Sequence, residues 1–102
     1  MRRGTTPTIT ITAAGLSEVS IDRAYLTIKQ KGNVIEKELE DMAINGDVLT
    51  VTLSQEETLS FTAGADVELQ LRVLSKSGTA YASQIISTPV GRILKDGVIP
   101  DG

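Results

Sequence analysis

Polar and apolar side chains alternate with a period of two through most of this chain, the spacing of a strand that buries one face and wets the other. In "PTITITA", Ile9, Ile11 and Ala13 fall on one side and Thr8, Thr10 and Thr12 on the other. Pro7 fits only the first residue of that strand or an edge, because it has no N–H to give to a ladder. "DRAYLTIKQ" sets Ala24, Leu26 and Ile28 inward against Tyr25, Thr27 and Lys29. The chain turns at Lys31 to Asn33, and "VIEKELE" returns with Ile35 and Leu39 as its apolar pair. The strongest strand is "DVELQLRVL", which buries Val67, Leu69, Leu71 and Val73 and exposes Glu68, Gln70 and Arg72. After a turn at "SKSG", "TAYASQIIS" comes back as a strand whose inward face is open between Tyr81 with Ile85 and Ala82 with Ile86. Pro89 ends that strand or moves it to an edge.

Local signals fill in the connections. In "MAINGDVLTVTL" the Asn45-Gly46 pair tolerates positive φ at two successive positions, which predicts a type I′ hairpin turn. It would join Met42–Ile44 to a strand that buries Leu49, Val51 and Leu53. "SQEE" is a capping box in which Ser54 and Glu57 satisfy each other's backbone N–H groups, so one helical turn is expected through Phe61, ended at Ala63-Gly64. A last short strand is expected from Val90 to Leu94, followed by a tail rich in Gly and Asp. Seven or eight short strands spaced by about 8 to 12 residues predict an all-β, immunoglobulin-like antiparallel β-sandwich with one short helical turn. The Cys-Trp-Cys signature of antibody domains is absent, so the strand order stays open. Residues 1–102 read as a single domain with a flexible N-terminal arm (1–6) and a flexible C-terminal tail (92–102), without repeats or an internal linker.

Composition narrows the chemistry. A chain of 102 residues, 40% hydrophobic and 23% charged, is large enough for one core without staples. It contains no Cys and no His. That removes disulfides, thiolate nucleophiles and Cys-based metal sites, together with the commonest general base and metal ligand. No apolar run approaches the roughly 20 residues needed to cross a bilayer. The arginines at the start lead into threonines rather than an apolar h-region, so no membrane association and no leader are expected. The place of synthesis is then the reducing cytoplasm of the producing cell. The net charge of −3 is uneven: residues 1–33 hold five basic against two acidic residues, and residues 34–66 one against eight. A solvated acidic face is the plainer reading, and head-to-tail orientation within an assembly the other.

Few constellations could act on a substrate. Glu36, Glu38 and Glu40 share one face of a strand, either solvated or bridged by an oxygen-loving cation such as calcium. No Asp-x-Asp-x-Asp-Gly loop accompanies them, and solvation is favoured. Sugar binding needs exposed rings, and of Tyr25, Phe61 and Tyr81 only Tyr25 is read as pointing outward. Nucleic-acid binding needs a basic patch with aromatics, which Arg2 and Arg3 alone do not make. The glycines sit singly at turns, not in a phosphate-binding loop. No catalytic, metal-binding or cofactor-binding residue is assigned, and a non-enzymatic protein is expected. The candidate interaction residues are Arg2, Arg3 and Arg92 in the terminal segments, and Tyr25. The two terminal segments are candidate docking arms that could order against a neighbour's sheet edge.

The opening "MRRGTTPT", the central "VTLSQEETLSF", the stretch "VELQLRVLSKSG" with "ASQIISTPVGRIL", and the closing "KDGVI" resemble a family of short proteins encoded in prophages of Gram-positive bacteria, beside genes for virion structural components. The resemblance covers nearly the whole chain, and the opening is its most specific part. It implies a small accessory protein of a phage tail, baseplate or head, made in the cytoplasm of the host bacterium and destined for the virion. Other virion proteins and further copies of the same chain are the partners it implies. No activity and no functional residues carry over from it. A host-surface sugar is the alternative ligand.

Overall fold

A computed structural model describes residues 1–100. Among them the chain forms eight strands: β1 (Thr8–Thr12), β2 (Ile21–Gln30), β3 (Asn33–Glu38), β4 (Met42–Asn45), β5 (Val48–Thr52), β6 (Asp66–Ser75), β7 (Ala80–Ala82) and β8 (Ile86–Pro89). One short helix, α1 (Gln55–Leu59), and two 3₁₀ turns, Leu16–Glu18 and Leu39–Asp41, complete it. All strand pairs are antiparallel. One sheet has the order β1-β5-β4; the other runs β3-β2-β6-β7, with β8 also paired to β6. This is an immunoglobulin-like order, with β1, β5 and β4 in the places of strands B, E and D, and β3, β2, β6 and β7–β8 in those of C′, C, F and G. Among the described residues strand A has no counterpart beside β1, and β7 and β8 together make the broken last strand.

The sandwich forms because the period-two faces of the strands coincide. Ile11 from β1, Leu49 and Val51 from β5 and Leu53 beyond it meet Ala24, Leu26 and Ile28 of β2 and Val67, Leu69, Leu71 and Val73 of β6 in one aliphatic core. Phe61, the single Phe of the chain, closes one end of it at 1% exposure. The three buried polar residues, Gln30, Thr58 and Ser75, all have hydrogen-bond partners. The α1 capping box is present as read: Glu57 N–H donates to Ser54 Oγ at 3.1 Å, and Ser54 N–H donates to the Glu57 carboxylate at 2.9 Å.

Three connections differ from the sequence reading. The β4–β5 loop is Gly46-Asp47, with Asn45 paired to Val48 and positive φ only at Gly46 (62°), so the turn is of type II′ and not the type I′ turn at Asn45-Gly46. That register places Asp47 in the loop, where its carboxylate accepts from Ser17 N–H at 2.8 Å and from Gly15 N–H at 3.4 Å. Along Val90–Leu94 there is no strand: Val90 is buried, Gly91 makes one parallel bridge to Arg2, and Leu94 is 93% exposed. "TAYASQIIS" splits into β7 and β8, and neither face points into the core. Tyr81, Ile85 and Ile86 are 49%, 59% and 48% exposed.

Candidate functional site

The N-terminal segment 1–6, read as a mobile arm, lies along the end of β8. Met1 NH₃⁺ donates to the Pro89 carbonyl at 2.8 Å, Gly91 N–H to the Met1 carbonyl at 2.7 Å, and Arg3 N–H to the Gly91 carbonyl at 3.1 Å. Arg2 donates to the Arg92 carbonyl at 2.7 Å. Arg3 sends Nε to the Phe61 carbonyl at 2.7 Å and another guanidinium nitrogen to the Leu59 carbonyl at 2.9 Å, occupying carbonyls that the end of α1 leaves unpaired. Its third nitrogen reaches Asp96 at 3.4 Å. The buried Thr58 hydroxyl donates to the Thr5 carbonyl at 2.8 Å. The structure therefore brings Arg2, Arg3 and Arg92 together, and it occupies Arg2 and Arg3 with contacts inside the chain. In the C-terminal segment the Gln55 side chain pairs with both backbone groups of Ile99, at 2.8 and 3.1 Å. Residues 101–102 of that segment lie outside the described residues.

Tyr25 is far from this cluster, on the outer face of the wider sheet. It stands in register with Glu38 of β3 on one side and Arg72 of β6 on the other. Two shallow hollows flank it, one lined by Arg23, Thr27, Glu36, Arg72 and Ala80, the other by Asp22, Arg23, Glu38 and Glu40. The Arg23 guanidinium pKa is raised, first by hydrogen bonding to the Tyr25 side chain and further by the neighbouring charge of Asp22. Glu36 and Glu38 of β3 are exposed, as their alternation required, whereas Glu40, read on the same strand face, lies off the strand in the 3₁₀ turn Leu39–Asp41 and is exposed there. Among the described residues no group of three or more acidic side chains is placed to hold a metal ion, and no helix is long and apolar enough to cross a membrane.

A different region, not visible in the strand pattern, emerges from counting strands. The narrower sheet has three strands and the wider one a fourth position, held by β7 and β8, so the wider sheet overhangs β1. At this overhang lies an open groove of about 450 Å³ between the chain that follows β1 (Ala13, Leu16, Val19) and the β6–β7 hairpin (Leu71, Val73, Tyr81). Beside it runs the free edge of β1. Leu53 N–H donates to the Pro7 carbonyl and Ala13 N–H to the Asp47 carbonyl, so the odd-numbered residues of β1 bond to β5. By the alternation of an antiparallel ladder, the N–H and C=O groups of Thr8, Thr10 and Thr12 point away from β5, into the vacant lane.

Compared with known proteins, the chain finds no match among protein-family models, among curated proteins or among solved structures.

Proposed function

We propose that this protein is a non-catalytic structural or accessory component of a phage particle, associated with its tail, baseplate or head and acting through protein–protein contacts. The observation that carries the reading is the open side of the sandwich, where an unpaired edge strand and an apolar groove lie together. Natural proteins shield such edges with charge, proline, bulges or a covering segment unless a partner uses them. The sequence resemblance to prophage-encoded proteins supports the same reading, and so does a chain with neither His nor Cys to supply a general base or a thiolate. The test is to induce a lysogen that carries the gene, purify particles on a density gradient and probe them for this chain. Co-sedimentation at fixed stoichiometry is the expected result. A protein that stays in the soluble lysate, and remains a strict monomer by light scattering at high concentration, would contradict it.

A host-surface sugar is the second reading, favoured by the position of Tyr25 between two polar hollows beside Arg23, Arg72 and Glu36. Aromatic rings supply the apolar platform on which a pyranose stacks, and charged side chains orient its hydroxyls. A glycan-array signal lost on Tyr25→Ala would promote this reading. An empty array would leave the edge as the working surface.

A further inference from the structure

The geometry points to the lane beside β1 as an acceptor site for one extended, uncharged polypeptide segment of another protein, added as a fourth strand to the narrower sheet. The inference rests on the protein–protein reading above and names the kind of partner that reading requires.

Among the described strands, β1 is the edge best suited to pairing. Its five residues, Thr8–Thr12, carry no charge, no bulge and no internal proline, and three of them present both backbone groups outward. An antiparallel addition would make about six new hydrogen bonds from those three residues. The edges of β3 and β4 and the end of β8 are shielded in the ways natural sheets use, and β7 is a three-residue strand, too short to offer a comparable ladder. Edge strand β3 carries Glu36, Lys37 and Glu38, and edge strand β4 is bracketed by Glu40, Asp41 and Asp47. The far end of β8 is covered by the chain's own Met1–Arg3 segment, which runs parallel to it. The N-terminus thus covers the end of the wider sheet's edge in cis, and the incoming segment would cover the edge of β1 and the groove.

The overhang selects the occupant. A strand seated beside β1 lies over β7, so alternate side chains drop toward Leu71, Val73 and Tyr81 while the others face solvent. A second copy pairing β1 to β1 would bring its own wider sheet with it. That sheet would need the space already held by β7 and β8, because strands sit about 4.8 Å apart and both sheets share one side of the ladder. A single segment fits where a second sandwich does not. The lane is uncharged along Thr8–Thr12, and Glu18 is the one charged residue lining the groove beyond it, so burying a charge against Leu71 and Val73 would cost more than the ladder returns. The segment is therefore one that alternates apolar, preferably β-branched, residues with neutral polar ones.

The probe is an acetylated, amidated seven-residue peptide of alternating Val and Thr, titrated into the full-length protein labelled with ¹⁵N. The expected result is shift changes and at least tenfold slower hydrogen exchange at the amides of Thr8, Thr10 and Thr12, with the edges of β3 and β4 unchanged. The same peptide N-methylated at alternate residues should give neither effect, which excludes nonspecific sticking. Thr10→Pro removes only an outward N–H and should abolish binding; the N-methylated peptide carries the test if that variant does not fold. No response at millimolar peptide, or protection at β3 or β4 instead, would overturn the site. Protection of the same three amides that grows with protein concentration alone would give the lane to a second copy and overturn the choice of partner. Because the peptide test needs no phage particle, the site can fail while particle association stands, and the reverse.

Discussion

At Gly46, the first central residue of the type II′ turn, the backbone takes φ 62°, in a region that costs a side-chain-bearing residue about 1–3 kcal/mol. A Cβ there would meet no neighbouring atom, so the whole effect of Gly46→Ala is conformational. The variant should lose about that amount in a urea melt, with an unchanged slope. Thr58 offers a different single-residue test. Its hydroxyl is fully buried and holds the Thr5 carbonyl, so Thr58→Val keeps the shape and strands an acceptor. A loss of about 1–3 kcal/mol is expected, with faster exchange at Arg3 and Gly91 as the N-terminal segment loosens. The positive φ at Gly46 was legible from the sequence; the roles of Thr58 and of the two leading arginines were not. A threonine in "EETLS" looks like an exposed helix residue, and two leading arginines look like a free basic arm. Both acquire their roles from hydrogen bonds across more than fifty residues of chain, and no periodicity encodes those.

Elements were legible where burial repeats and less so where it does not. The inward faces of β1, β2, β5 and β6 follow from alternation because each looks onto the opposite sheet. β7 and β8 sit at the overhang, where no opposite strand covers them, so neither register of "TAYASQIIS" buries its apolar residues. The β4–β5 turn shifted for a related reason. A turn centred on Asn45-Gly46 would pair Ile44 with Asp47, whereas the observed register pairs Ile44 with Leu49 and frees Asp47 to hold the chain at Gly15 and Ser17. Those contacts hold the Asp47 carboxyl below its usual range: first the Ser17 backbone N–H, then its side chain, then the Gly15 N–H. Glu57 is also lowered. Partial burial raises it, but the Lys37 ammonium at 2.7 Å and the Ser54 N–H outweigh that, and the pair ties β3 to α1. Both folded-state pKa values lie below the unfolded ones. Their stabilisation is therefore complete above the unfolded carboxylate pKa of about 4 and is lost as pH falls through the lower folded values. Chemical denaturation between pH 6 and 2 should show stability dropping on the acid side. Asp47→Asn and Glu57→Gln should each flatten that drop.

For the molecule as a whole, stability rests on one aliphatic core shared by both sheets. Leu26 is fully buried at its centre, and Leu26→Ala should cost about 2–5 kcal/mol, enough to unfold a large fraction of a marginally stable domain. That core accounts for a rigid sandwich and leaves its open side unexplained. The three-against-four strand count, the outward groups of Thr8, Thr10 and Thr12, and the groove under Tyr81 are one feature seen three ways. Residue-by-residue hydrogen exchange on the isolated protein, read by NMR along β1, tests it most directly. The account predicts fast exchange at Thr8, Thr10 and Thr12 alternating with slow exchange at Ile9 and Ile11. Uniform protection along the strand, or slow threonines between fast isoleucines, would contradict it.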